Sequence, residues 1–313
     1  MSGKRIAVLL SAYNGEQYIE KQIESILGQT GIESLTLIVR NDGSSDGTID
    51  VLHWLEEEHS NIEILDEANI GLVASFLKLL QYAYKKGYDY YSFSDQDDYW
   101  QPEKLSVAIK ALENHEGPCM YASCSTIVND NLEATGSVTQ TKIRDITFFN
   151  SAIQNFCPGH NQVLNHAMAK MVVSKTKYSP DIYSQDMWIT KVAAVTGEIV
   201  FDNNPHTLYR QHANNQLSFG KSKIEWVKDH IKRLQKNEGK KIAIQLKYFC
   251  ECYEEYLNDD QKKEIKKFFD SQSSFVKRLG YILQTKMYRQ RSYETPMFKV
   301  IYLTGGYNAG RSE

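Results

Sequence analysis

Apolar residues fill Arg5–Ser11 without a polar break, the length of a buried strand and too short for a core helix. Tyr18, Ile19, Ile23, Ile26 and Leu27 then recur at helical spacing. The alternation repeats: a strand at Leu35–Arg40, a helix marked by Val51, Leu52 and Leu55, and a strand at Ile62–Leu65. A helix over Leu72–Lys85 and a strand over Tyr88–Ser94 complete it. This rhythm with short connections predicts an α/β fold, a Rossmann-like and mostly parallel sheet with helices on both faces. Ligands of such sheets bind beyond the C-terminal strand ends. The loops to inspect are therefore 11–16, 41–47 and 95–100.

Residues 101–220 are less regular, with Pro102, Pro118, Pro158, Pro180 and Pro205 as punctuation, and read as mixed sheet, short helices and long loops. From about Lys221 the texture becomes charged and helical: Ile224–Val227 with Ile231 and Leu234, then Ile242, Leu246, Phe249, Tyr253, Tyr256 and Leu257. Charge divides the chain at the same place. Residues 1–220 hold 16 basic and 27 acidic residues, a balance of −11, whereas residues 221–313 hold 20 basic and 12 acidic, a balance of +8. The expected organisation is one part over 1–220, with halves at 1–100 and 101–220, followed by a basic helical region over 221–313.

The net charge of −3 argues against a general nucleic-acid binder. Polar residues interrupt each apolar stretch well before the ~18 residues that a membrane span needs. Five cysteines, Cys119, Cys124, Cys157, Cys250 and Cys252, form no zinc-site pattern and read as free thiols. The expectation is a cytoplasmic protein.

The candidate chemistry sits at the strand ends. Asp95-Gln96-Asp97-Asp98 places three carboxylates in four residues, which repel one another unless a cation is present. A hard divalent ion, Mg²⁺ or Mn²⁺, would offset that repulsion and share its shell with phosphate oxygens. The plain alternative is an acidic turn capping the next helix. Asn41-Asp42-Gly43-Ser44-Ser45-Asp46-Gly47-Thr48 is a turn whose Asp42 could accept bonds from a base or ribose. Ser11-Ala12-Tyr13-Asn14-Gly15-Glu16 lacks the dinucleotide fingerprint, and its Tyr13 could stack on a nucleobase.

With Asn69-Ile70-Gly71 and Ser94–Trp100, these segments resemble glycosyltransferase family 2, inverting enzymes of the A-type nucleotide-diphospho-sugar fold. The resemblance covers residues 5–215, and Asp-Gln-Asp-Asp-x-Trp is similar to its bacterial polysaccharide rhamnosyltransferases. Ser75 departs from the Asn that relatives often carry after Asn-x-Gly. The resemblance implies donor contacts from Ser11, Tyr13, Asn14, Glu16, Asp42, Asp95, Gly159 and Arg210. In it, Asp42 would bind the base, Tyr13 stack on it and Asp95 hold the ribose. Asp97, Asp98 and His212 would ligate the Mg²⁺ or Mn²⁺ ion, and Arg210 would meet the diphosphate. Cys157-Pro158-Gly159-His160-Asn161 resembles the glycine loop beside the donor sugar, with His160 reading as an ordinary loop histidine. Ser184-Gln185-Asp186-Met187-Trp188 resembles the segment that supplies the catalytic base, Asp186, with Trp188 at the acceptor. Asp186 also reads as an N-cap for the helix that follows, and the two roles can coexist.

The implied donor is TDP-rhamnose or a UDP-hexose, and the acceptor a glycan or polyprenyl-linked chain. The basic tail would then dock on an anionic membrane surface at the inner face of the plasma membrane. Two other readings share parts of this pattern. A sugar-nucleotide pyrophosphorylase would carry a Gly-rich, Arg/Lys-bearing loop after the first strand, which Ser11–Glu16 is not. A non-catalytic binding module would lack the base or the metal carboxylates.

Overall fold

The computed structural model describes residues 3–139, 141–211 and 237–310. Contacts divide the chain into two units, one built from Met1–Thr141, Cys157–Tyr178 and Gly197–Gly220, the other from Lys142–Phe156, Ser179–Thr196 and Lys221–Glu313. Two segments before residue 220 belong to the second unit. Residues 142–156 and 179–196 group with the C-terminal helices, because their apolar side chains are covered by those helices. The reading of Ile224–Leu234 as a helix lies outside the described residues.

The first unit carries β1 (Arg5–Ala12), α1 (Ile19–Leu27), β2 (Ser34–Asp42), α2 (Thr48–Glu58), β3 (Ile62–Glu67), α3 (Leu72–Lys86) and β4 (Tyr90–Ser94). These are the elements that the apolar rhythm predicts. After them come β5 (Tyr99–Trp100), α4 (Lys104–Leu112), β6 (Cys119–Ser123), β7 (Thr126–Val128) and β8 (Ala134–Val138). β9 (Val163–Asn165), α5 (His166–Lys175), β10 (Glu198–Asp202) and β11 (Thr207–Arg210) complete the unit.

Seven strands pair in the order β10-β6-β9-β4-β1-β2-β3. β9 runs antiparallel to both β4 and β6, and the other pairings are parallel. A second sheet has the order β5-β11-β7-β8. β1 is buried on both faces, which is why its sequence is a continuous apolar run rather than an alternating one. Ile6, Val8 and Leu10 pack in one core with Ile19, Ile23 and Ile26 of α1 and with Leu37 and Val39 of β2. α3 contacts β1 and β2 and buries Phe76, Leu79, Leu80 and Ala83. β1 and β4 are neighbours from which the chain order runs in opposite directions, so their C-terminal ends form the topological switch point. Leu10 pairs with Ser94 there, setting loops 11–16 and 95–98 side by side.

One backbone contact sets the far edge of this sheet. A Cβ on Gly197 would lie 2.0 Å from the carbonyl oxygen of Pro118, the atom that accepts the Glu198 N–H at 3.0 Å where β10 joins β6. Rigid backbone, not a movable side chain, is in the way. Gly197→Ala should cost about 1–3 kcal/mol, read as a lower urea midpoint, with Gly117→Ala, which meets open space, as the silent control.

The second unit carries the short helix α6 (Phe148–Ser151), α7 (Gln185–Thr196), α8 (Glu238–Tyr253), α9 (Asp259–Asp270), α10 (Phe275–Gln284) and α11 (Glu294–Leu303). Its core is aromatic. Trp188 meets Tyr248, Phe249 and Tyr253, with ring centroids 5.4–6.0 Å apart. Phe268, Tyr281, Tyr302 and Tyr307 form a second cluster. Asn258 opens α9 with a capping box closed by Gln261.

Candidate active site

The loop after β1 is bound to its neighbours through side chains. Tyr13 donates its N–H to Gln96 Oε1 at 2.8 Å, and Gln96 Nε2 donates to the Tyr13 carbonyl at 3.1 Å. Gln96 thus pairs with both backbone polar groups of Tyr13 and leaves that residue half exposed. Asn14 holds a left-handed backbone (φ 49°); its N–H donates to Ser44 Oγ at 3.0 Å and its Oδ1 accepts from Ser45 N at 2.8 Å. Glu16 Oε2 accepts from Gly47 N at 3.0 Å. Ser11 is buried, with its hydroxyl 2.6 Å from that of Ser75. Ser11, Asn14 and Glu16, expected as donor contacts, each hold a framework hydrogen bond here. These side chains fix the loop that presents Tyr13, and Ser75 is a buried strut for it.

Asp42, expected to bind the base, is also buried and bonded within the framework. Its carboxylate forms an ion pair with Arg40 and accepts from the amides of Ile70 and Gly71 at 2.8 and 2.9 Å. Arg40 is itself buried and also bonds Glu67 and the Ala68 carbonyl. Positions 40 and 42 share a face of β2, so a two-residue spacing makes the pair. Asp42 thus staples the Asn69–Gly71 turn to β2 rather than offering an open carboxylate to a base. Removing one partner of a buried pair leaves the other uncompensated. Asp42→Ala should lower stability by about 3 kcal/mol, seen in denaturant unfolding, where a purely nucleotide-binding residue would leave unfolding unchanged.

At the end of β4 the structure assembles a cluster different from the one expected. Atoms of Asp95, Asp98 and His160 lie within 4.8 Å of one another, each able to give one metal ligand. His160 Nδ1 is 3.3 Å from Asp95 Oδ2 and 3.6 Å from Asp98 Oδ2. Its Nε2 is 3.1 Å from Ser125 Oγ, its ring stacks on Tyr209, and its carbonyl accepts from Lys104 Nζ at 2.6 Å. Ser125 Oγ already accepts from Asn161 Nδ2 at 2.7 Å, so its own proton can serve Nε2. Nδ1 then faces the carboxylates. His160 is a candidate ligand that sequence reasoning missed; its only sequence signal is its place beside Gly159, which opens a buried 3₁₀ turn over Gly159–Asn161.

Burial raises the Asp98 carboxyl to about 7, opposed by the charge of His160 and reinforced by Asp97 and Asp95. Burial alone would lower His160, but Asp98 and Asp95 outweigh it and raise it. Burial drives Lys104 well below its ordinary value; its amine sits 3.6 Å above the Trp100 ring. Asp98 Oδ2 is buried without a hydrogen-bond partner among the described residues. Two carboxylate oxygens and an imidazole nitrogen, with one oxygen unsatisfied, suit a hard or borderline divalent ion. A proton on Nδ1 and a metal ion are alternative occupants of the same point between His160 and the acids.

Asp97 is partly exposed in this loop, and its carbonyl accepts from Arg210 Nε at 2.9 Å. Arg210 is buried; its N–H reaches Asp98 Oδ1 at 3.3 Å, its guanidinium also bonds the Asp130 carbonyl, and it lies over the Tyr18 ring. Where the resemblance put Arg210 on a diphosphate, the structure spends it on the carbonyls of Asp97 and Asp130, where it braces the acidic loop. His212 lies outside the described residues.

In the second unit, Asp186 stands in the first turn of α7 and is partly exposed. Its Oδ1 accepts from Ser184 Oγ and from Met187 N at 2.8 Å, and its Oδ2 from Asn155 Nδ2 at 2.7 Å. The helix begins at Gln185, so Asp186 is a first-turn residue rather than the N-cap expected of it, and its carboxylate satisfies the Met187 amide, one of the first amides of the helix. Lys191, one turn on, is buried; burial lowers its ammonium to about 7 against the charges of Asp186 and Cys250. Trp188 does not meet the acceptor role expected of it. It is fully buried beneath the rings of α8, because the position two after Asp186 falls on the covered face of α7.

Three comparisons bear on this geometry. The model of "Glycosyl transferase family 2" matches residues 7–170. The dTDP-rhamnosyl transferase RfbG of Shigella flexneri is 27% identical over 216 residues, covering 66% of this chain and 73% of RfbG. Among solved structures, S. aureus TarS in complex with UDP-GlcNAc superposes with a TM-score of 0.60 at 18% identity, covering 97% of this chain and 80% of that one. The mannosyltransferase PcManGT from Pyrobaculum calidifontis, in complex with GDP-Man and Mn²⁺, gives a TM-score of 0.57 at 13% identity, covering 98% and 86%. The matched residues run from β1 through the acidic loop and His160 into α5, and on that match the chain belongs to glycosyl transferase family 2, as a glycosyltransferase of the A-type fold.

Proposed function

We propose that this enzyme transfers a sugar, with inversion, from a nucleotide-diphospho-sugar to a glycan or polyprenyl-linked acceptor in bacterial surface polysaccharide synthesis. The observation that carries the reading is the Asp95–Asp98–His160 cluster at the switch point of a family 2 sheet. The likeness to RfbG supports dTDP-rhamnose as donor, with a UDP-hexose as the second choice.

In this reading Tyr13 stacks on the base, presented by the Gln96 grip. Asp95, half open, meets the ribose side of the donor, and Gly159 lines the sugar. Asp95, Asp98 and His160 would hold a Mg²⁺ or Mn²⁺ ion, with Asp97 adding a carboxylate from the same loop. When bound, such an ion offsets charge on a leaving diphosphate. Asp186 takes the proton of the acceptor hydroxyl as that oxygen attacks the anomeric carbon. The bond to the nucleoside diphosphate breaks in the same displacement, and its electron pair leaves with the diphosphate. Asn155 and Ser184 hold the carboxylate in place.

No helix among the described residues is long and apolar enough to cross a membrane. The excess of 20 basic over 12 acidic residues in 221–313 supports a peripheral place on an anionic leaflet, at the cytoplasmic face. A panel of nucleotide sugars tests the function: release of nucleoside diphosphate should be fastest from dTDP-rhamnose. Release from none of the panel, with metal supplied, would remove the donor assignment.

A further inference from the structure

α10 has its apolar side turned outward. At about 100° per residue, Ile282, Phe275, Leu279, Leu283 and Val276 share an arc of roughly 120°. Four of them are exposed: Phe275 by 56%, Val276 by 76%, Leu279 by 40% and Leu283 by 76%. The opposite side holds the helix down. Tyr281 is its one buried residue, and the Tyr281 hydroxyl donates to Glu264 at 2.9 Å. Arg278 anchors the flank through the Leu303 and Gln272 carbonyls at 2.8 and 2.9 Å. Ser274 caps the start by accepting from Lys277 N. The helix is thus fully formed with its apolar arc in solvent, an unfavourable state unless something covers it.

The charge around the arc selects the cover. From Phe275 to Tyr293 the chain holds five basic residues and no acidic one; Lys286 pairs with Asp260 and Arg289 with Glu294, and Lys277, Arg278 and Arg291 have no acidic partner among the described residues. A second copy would bring the same positive rim against this one. Four side chains also offer far less than the about 800 Å² per partner of a standard interface. An anionic bilayer answers both features: headgroups meet the basic rim and the arc enters the acyl boundary. At 10 residues the helix is too short to span, so it lies in the interface.

We infer that α10 is the membrane-docking element, inserting Phe275, Val276, Leu279 and Leu283 into an anionic leaflet. This rests on the membrane partner proposed above and is independent of the donor chemistry. The test is co-sedimentation of the full chain with phosphatidylglycerol vesicles and with phosphatidylcholine vesicles. The wild type should bind the anionic vesicles and release as salt rises. Phe275→Ser with Leu283→Ser changes no charge, and should reduce partitioning about tenfold or more with an unchanged thermal melt. Donor hydrolysis in the same preparations should stay at the wild-type rate, which separates this inference from the fate of the sugar reading. No binding by the wild type overturns both the membrane partner and the docking helix. Equal binding by the double variant leaves an electrostatic attachment and removes α10 as the contact. A wild-type dimer in sedimentation velocity that the double variant splits would assign the arc to a second copy instead.

Discussion

Asp186→Asn should bind donor as the wild type does and transfer sugar about 10²–10⁴-fold more slowly, the usual cost of losing a general base. The surroundings of Asp186 make the test clean. Oδ1 accepts from Ser184 and from the Met187 amide, and an asparagine oxygen can do the same. Oδ2 accepts from Asn155 Nδ2 at 2.7 Å; in the variant Asn155 can turn its amide and offer oxygen to the new NH₂ group. Fold and α7 should therefore survive, and the proton acceptor alone is lost. Turnover near wild type, with calorimetry showing intact donor binding, would leave Asp186 as a first-turn residue of α7 and remove it as the base.

Chelation should have an effect of similar size. EDTA should stop transfer, with Mn²⁺ or Mg²⁺ restoring it, because diphosphate departure leaves negative charge beside the carboxylates of Asp95, Asp97 and Asp98. Lys104 is committed to the His160 carbonyl, and Arg210 to the carbonyls of Asp97 and Asp130. Asp97→Ala should abolish transfer as well, and metal should not rescue it. His160→Gln adds a distinction. If the cluster holds the ion, this variant should weaken Mn²⁺ affinity about 10-fold or more, in line with loss of a metal-site group, read directly by titration. Full turnover in metal-free buffer would exclude the ion from the reaction.

The sheet was legible where burial wrote itself into the sequence. β1 holds the apolar run Ile6–Leu10 and β4 is buried at every position because both lie centrally in the sheet, and β2 ends at the turn its Asn-Asp-Gly-Ser predicts. The strands of the second sheet were not, because runs such as Tyr99–Trp100 and Thr126–Val128 are too short to show a period. β9, three residues long, is the antiparallel strand that separates β4 from β6. It begins three residues after His160, and that return path is what sets the imidazole against an acidic loop 65 residues earlier. No local pattern announces a pairing of that span. The acidic loop itself was legible as carboxylates in need of a counter-charge, but which carboxylate points inward depends on burial: Asp98 is enclosed while Asp97 is not. Asp42, Asn14 and Glu16 show the opposite limit. Their polar side chains looked available for ligand, yet the loops must satisfy their own amides first. The resemblance alone sets Trp188 at the acceptor, and the structure has it anchoring α7 under α8.

Time-resolved proton NMR of dTDP-rhamnose turnover, with Mn²⁺ exchanged for diamagnetic Mg²⁺, tests the central claim most directly. A single displacement at the anomeric carbon should release nucleoside diphosphate together with a sugar product whose first-formed anomer is opposite to that of the donor. First-formed product with the donor's own configuration would contradict the single displacement, and with it the role given to Asp186.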